Sequence, residues 1–291
     1  MSKLAVLFSG QGAQFPGMGK DLYESSAAAR KIFDMAEKKR KGITELCFEG
    51  PKDELTKTIN AQPALFCVGL AAYRALEEKS IKADMVAGFS LGEIPALAAS
   101  GMLKDQDAFD LVIKRAEFME ECCVKNSGSM AAIIGLDAKA IEETIKEFSD
   151  VTCVNYNAPT QTVISGKNDL DAAIDALKAK GARAIKLAVA GAFHSPYMTD
   201  AASKMAEYLK GVNINAPCLP IYGNMTATPY AAPYADNISK QINSPVRWVD
   251  TILNMAKDGA TEWVECGAGN VLTGLLTKII PEAKVVDNYK L

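Results

Sequence analysis

Residues 88–93 read "GFSLGE": Ser90 stands between two glycines, after the apolar run "ADMVA" and before "LGEIPALAASGM", a helix-forming stretch. Strand, glycine turn and helix form the setting in which a G-x-S-x-G pattern lifts a serine hydroxyl off a sheet edge as a nucleophile. Gly88 and Gly92 allow backbone to crowd such a turn. The N–H of Leu91, at the start of the next helix, then faces negative charge developing on a carbonyl oxygen. The same letters also fit a small residue in a plain glycine turn. What separates the two readings is a base, and the chain contains one histidine, His194 in "GAFHSPYM". A lone histidine is readily structural, but this one lies amid glycine and proline where two units of the chain meet, a position suited to a cleft. If an imidazole activates Ser90, it is that of His194.

An oxyanion needs a second donor from another loop. The loop "SGQGAQFPGMG" follows the first apolar strand and has N–H groups able to reach the end of a parallel neighbour. Phe15 stands where a dinucleotide fingerprint needs its third glycine, and no G-K-[ST] closes a P-loop. The loop is either a flexible turn or that second donor.

The elements that must position these groups follow from periodicity. "KLAVLFSG" is a fully apolar strand of the kind buried in parallel sheets, too short for a signal peptide. A helix-rich stretch runs to about Leu76, with Pro63 suited to a first helical turn. "ADMVAGFS" is the next strand. From about Ser129 the order changes: "SMAAIIG" strand, "DAKAIEETIKEF" helix, "VTCVNY" strand, "TQTVISG" strand, "DLDAAIDALKAKG" helix, "ARAIKLAVA" strand. That βαββαβ order is the ferredoxin-like unit. A strand and helix resume in "ATEWVECG" and "AGNVLTGLLTKII", so the unit is an insertion in a larger α/β body. The expected division is residues 1–127 plus 195–291 for the body and 128–194 for the insert.

The 291 residues suffice for one large domain or two modest ones, and the net charge of −3 disfavours general nucleic-acid binding. Seven scattered cysteines without a C-x-x-C pair point to thiols in a reducing, cytoplasmic setting rather than disulfides or zinc. The longest uncharged run, beginning at Gly211, holds four prolines and does not suit a membrane span. "KKRK" at 38–41 reads as a solvated helix end, and Cys122 and Cys123 as helix packing.

Taken in order, "FSGQGAQFPGMG", "NAQPAL", "GFSLGE", "RAEFM", "NYNAPTQTVISG", "GAFHSPYM", "NSPVRW" and "ECGAGNVLTGL" resemble the malonyl-CoA:acyl carrier protein transacylases, nearly end to end. The resemblance implies an α/β-hydrolase-like body with a parallel sheet, a ferredoxin-like insert, and a site between them. It implies that Ser90 is acylated by malonyl-CoA, with His194 as base, and that a carrier-protein thiol collects the malonyl group. The N–H groups of Gln11 and Leu91 are then the oxyanion donors, and Arg115 holds the malonyl carboxylate. On its own, Arg115 reads as a surface charge on an amphipathic helix. Phe193 and Met119 are implied in the acyl pocket, and the backbone carbonyl of Asn243 is expected to orient His194. No metal or redox cofactor is called for, coenzyme A entering as a thioester substrate, and a monomer is expected. The chain departs from the family at Phe89, where histidine is usual, and at Ala268, where proline is usual. A serine hydrolase and a polyketide-serving acyltransferase are the alternatives.

Overall fold

Nine strands form in the computed structural model, which describes residues 2–287: β1 (Lys3–Phe8), β2 (Met85–Gly88), β3 (Ser129–Ile134), β4 (Thr152–Ala158), β5 (Gln161–Gly166), β6 (Arg183–Lys186), β7 (Ile221–Tyr222), β8 (Ala260–Cys266) and β9 (Lys284–Val285). They divide into two sheets. The first has the order β7-β2-β1-β8-β9 with every pairing parallel. The second has the order β4-β5-β3-β6 with every pairing antiparallel. It is built wholly from residues 129–186 and is the ferredoxin-like arrangement that βαββαβ connectivity produces.

Why the two sheets differ is visible in their side chains. The parallel sheet is covered on both faces, so β1 is apolar from Leu4 to Phe8: Val6 and Phe8 join one core, Ala5 and Leu7 the other. In the antiparallel sheet β3 alternates. Ala131 and Ile133 face the helices Ala138–Ile145 and Leu170–Ala179, while Met130 and Ala132 join the core of the larger body. A backbone seam adds to this packing. Tyr156 donates to the Val246 carbonyl at 2.9 Å and Val246 donates to that of Val154 at 2.8 Å. The small sheet is therefore a wall of the interior of the larger body rather than an appendage.

Three expectations change in detail. Pro63 is not in a first turn but inside the helix Thr58–Glu78. Proline there leaves the carbonyl four residues earlier without its helical donor. The Arg40 guanidinium fills that gap, donating to the Ile59 carbonyl at 2.6 Å, so this member of "KKRK" is a structural cation. The last strand of the insert stops at Lys186; Leu187 and Val189 beyond it line a cavity instead. Among the cysteines six are buried and Cys218 is exposed.

The turn after β2 is packed against backbone on both sides. A Cβ on Gly88 falls 1.9 Å from the carbonyl carbon of Gly92, and one on Gly92 falls 2.1 Å from the Phe8 carbonyl oxygen. Both obstacles are backbone and cannot rotate away. Gly92→Ala is expected to lower stability by on the order of 3 kcal/mol, the upper range for overpacking. Urea denaturation checks this; a loss under about 1 kcal/mol contradicts the geometry.

Candidate active site

Ser90 begins a one-turn 3-10 helix, Ser90–Gly92, that joins β2 to the helix Glu93–Ala99. Its φ is 52°, a left-handed conformation that a serine adopts only when its surroundings impose it. Two side chains do so. Asn224 Oδ1 accepts the Ser90 N–H at 2.6 Å, and Gln241 Nε2 donates to the Ser90 carbonyl at 2.7 Å. His194 is strained in the same way, with φ at 60°. It is 3 % exposed, and its Nε2 lies 2.6 Å from Ser90 Oγ across 104 positions of chain.

The imidazole tautomer follows from its other nitrogen. Nδ1 faces two backbone carbonyls, Gln241 at 3.1 Å and Ser244 at 3.2 Å, which can only accept. Nδ1 therefore carries the proton, and Nε2 offers its lone pair to the Ser90 hydroxyl. This corrects the expectation for Asn243. The turn Gln241–Asn243 presents its first carbonyl and that of the following Ser244 to the ring. Asn243 instead points its side-chain amide at Thr199 Oγ1, 3.4 Å away. Burial, reinforced by the nearby Arg115 charge, pulls the His194 pKa down to about 4. A neutral imidazole at physiological pH is the form a general base needs.

Arg115 lies on the helix Asp105–Lys125 yet is 2 % exposed, so it is not the surface charge its helix suggests. Nη1 donates to Gln62 Oε1 at 2.7 Å, and Nη2 to Gln241 Oε1 at 3.0 Å and Ser90 Oγ at 3.3 Å. None of these acceptors is charged, and Nε has no partner. Burial pulls this guanidinium down to about 10. A buried guanidinium with only neutral acceptors has the charge and planar fork to pair bidentately with a carboxylate.

Ser90 and His194 open on a cavity of about 260 Å³ whose lining includes Gln11, Met119, Phe193, Asn155 and Asn157. Met119 Sδ also accepts from Gln62 Nε2 at 3.4 Å. Leu91 follows Ser90 in the 3-10 turn with its side chain buried. Phe89 lines the cavity and meets Trp248 edge-on, ring centres 5.3 Å apart, so an apolar pair fills the place of the family's usual histidine. Ala268 lines a larger cavity of about 790 Å³, near Phe15 and Thr273, which contains none of Ser90, His194 and Arg115. Among the described residues no group of histidine, cysteine and carboxylate side chains could hold a metal, and no helix is long and apolar enough to cross a membrane.

A family model described as "Acyl transferase domain" matches residues 6–290. The chain belongs to the acyl transferase family. This acyl transferase is 41% identical over 295 residues to the malonyl CoA-acyl carrier protein transacylase of Bacillus subtilis (strain 168), covering 98% of this chain and 93% of the relative. The crystal structure of the Clostridium perfringens transacylase of the same name is similar, with a TM-score of 0.94, 33% identity, and coverage of 98% and 93%. A malonyl-transacylase solved in complex with its type II polyketide synthase acyl-carrier protein is also similar, with a TM-score of 0.94, 34% identity, and coverage of 98% and 96%.

The sequence reading of the acyl transferase missed Gln62, Glu93, Asn224, Gln241 and Ser244. Glu93 and Gln62 lie within quoted motifs, and Glu93 is a lone charge at the head of the apolar run "IPALAA", a signal of a buried carboxylate. Asn224 and Gln241 carry no such signal; only the fold brings them to Ser90.

Protonated imidazole cannot accept the Ser90 proton, so reactivity is lost as pH falls through the His194 pKa. Labelling of Ser90 by an uncharged fluorophosphonate should stay level below neutrality and halve near pH 4. A midpoint near 6.5, the ordinary imidazole value, contradicts the burial argument.

Proposed function

We propose that the protein transfers malonyl from malonyl-CoA to the pantetheine thiol of an acyl carrier protein, in two half-reactions through a malonyl ester of Ser90. The observation that carries this reading is Arg115 Nη2, 3.3 Å from Ser90 Oγ in a site where His194 Nε2 lies 2.6 Å from the same oxygen. Nucleophile, base and carboxylate seat meet at one atom.

Ser90 Oγ attacks the thioester carbonyl as His194 Nε2 takes its proton, a role typically worth about 10²–10⁴-fold. The N–H groups of Gln11 and Leu91 receive the oxyanion, each contributing roughly 3 kcal/mol. The C–S bond breaks, and the thiolate of coenzyme A leaves with the proton from His194. The carrier thiol then enters, gives its proton to His194, and attacks the ester. Ser90 Oγ recovers that proton as it is expelled. Asn155 and Asn157, whose Oδ1 atoms are buried without partners, offer acceptors to the amide N–H groups of the pantetheine arm that both substrates share. Phe193 and Met119 wall the acyl end.

Arg115 sets the selectivity. Malonyl supplies a carboxylate for the guanidinium fork, whereas acetyl leaves the buried cation unpaired at a cost of roughly 3–5 kcal/mol. We take the carrier to be that of fatty acid elongation, in the cytosol, with a monomeric enzyme. A polyketide carrier is the second reading, favoured by the similarity to the transacylase solved with such a carrier.

Intact-protein mass spectrometry tests the reading. Malonyl-CoA should give a stable adduct that is absent in Ser90→Ala and discharged by holo carrier protein; steady release of malonate without a thiol acceptor indicates a hydrolase instead. Arg115→Ala should slow malonyl loading by roughly 10²–10³-fold and leave acetyl loading unslowed. Equal malonyl and acetyl loading in the wild type overturns the role of Arg115.

A further inference from the structure

Glu93 is a carboxylate in the interior, 2 % exposed, and no step of the transfer uses it. Its two oxygens are fully engaged. One accepts the Tyr230 hydroxyl, and the other accepts the backbone N–H of Asn224 at 2.7 Å. Asn224 is itself 1 % exposed, and its side-chain amide spans the nucleophile turn. Nδ2 donates to the Gly88 carbonyl at 2.6 Å, while Oδ1 accepts the Ser90 N–H at 2.6 Å. The amide thus grips the backbone on both sides of Phe89. Its orientation is unambiguous, because a carbonyl can only accept and an N–H can only donate. Gln241 Nε2 reaches both the Ser90 carbonyl and, at 3.4 Å, the same Asn224 oxygen.

These bonds close a ring. The segment Gly88–Glu93 holds Asn224 at one end through the Glu93 side chain and at the other through its own backbone. Within the ring sits Ser90, in a left-handed conformation that relaxes unless something opposes it. We propose that Glu93 is a positioning residue for Ser90, acting through Asn224: it fixes the Asn224 backbone so that the amide holds the strained turn in its reactive form. This deepens the reading of Ser90 as nucleophile and rests on it. Reach matters more than charge in this arrangement, since the contact to Asn224 is made by an acceptor oxygen at a set distance. Burial also pushes the Glu93 carboxyl up to about 7, so the neutral form lies close at hand.

The test separates reach from charge. Glu93→Gln keeps an acceptor oxygen at the same distance; Glu93→Asp keeps the charge but withdraws it by one methylene. Fluorophosphonate labelling of Ser90 is the primary readout, because it needs the serine and its base but no malonyl group. Glu93→Gln should label within about threefold of the wild type, and Glu93→Asp and Glu93→Ala should label about 10- to 100-fold more slowly, the cost of an ångström-scale misplacement. Malonyl-CoA KM should move less than about threefold in the Asp variant, because the carboxylate charge that supports the Arg115 cation is kept. Glu93→Ala combined with Asn224→Ala should be no slower than Asn224→Ala alone. Wild-type labelling speed in folded Glu93→Asp, or a Gln variant as slow as Ala, overturns the proposal. So does a double variant slowed by the product of the two single effects. If the wild type labels but transfers no malonyl, the functional reading fails while these ratios still decide the role of Glu93.

Discussion

Everything in this molecule depends on holding two residues, Ser90 and His194, in backbone conformations they would not choose. Both have φ near +55°, and such residues cost of order 1–3 kcal/mol each unless the surroundings over-determine them. The strain has a geometric return: it turns a hydroxyl and an imidazole, 104 positions apart, into contact at 2.6 Å. The parallel sheet supplies the first by ending β2 in a turn so tight that only glycine fits at positions 88 and 92. The antiparallel sheet delivers the second, because the chain leaving β6 re-enters the larger body at His194. A β-bridge between Asn155 of β4 and Val246 ties the antiparallel sheet to the larger body, so the contact is a property of the whole fold.

The electrostatics of the site follow from the burial of its ionisable groups. Arg115 and His194 are both buried, and each is pulled toward its neutral form by that burial. For the imidazole this is useful directly, since it remains a base. For the guanidinium, burial leaves three neutral acceptors and no charged hydrogen-bond partner, which is why we propose it as the carboxylate seat. Gln241 links the parts. Its side chain touches Ser90 and Arg115, and its carbonyl orients His194. One residue thereby ties Ser90, His194 and Arg115 into a single network, of the kind whose members act together.

Much of this was legible in the sequence, and the reasons are specific. Strands buried on both faces are apolar runs, and β1 and β3 both stand out in the sequence as such runs. The switch to βαββαβ order marked the insert. Glycines at fixed spacing single out Ser90 and the lack of any other imidazole singles out His194, and the fold brings these two side chains within 2.6 Å. What stayed hidden were contacts decided by one residue of register. Asn243 was named for a carbonyl that Gln241 and Ser244 provide, since a 3-10 turn rotates successive carbonyls in ways no periodicity records. The sequence points Pro63 to a first turn because nothing local announces that Arg40, far back in the chain, satisfies the carbonyl it orphans. Neutral side chains such as Asn224 and Gln241 have no sequence signature at all; their importance is created by what they meet.

Because the chain has one histidine, nuclear magnetic resonance of protein labelled with nitrogen-15 histidine observes the base without ambiguity. At neutral pH the imidazole should be uncharged, protonated at Nδ1, with an Nε2 resonance that shifts when Ser90 is replaced by alanine. A ring protonated at Nε2, or one indifferent to the loss of that hydroxyl, would contradict the account.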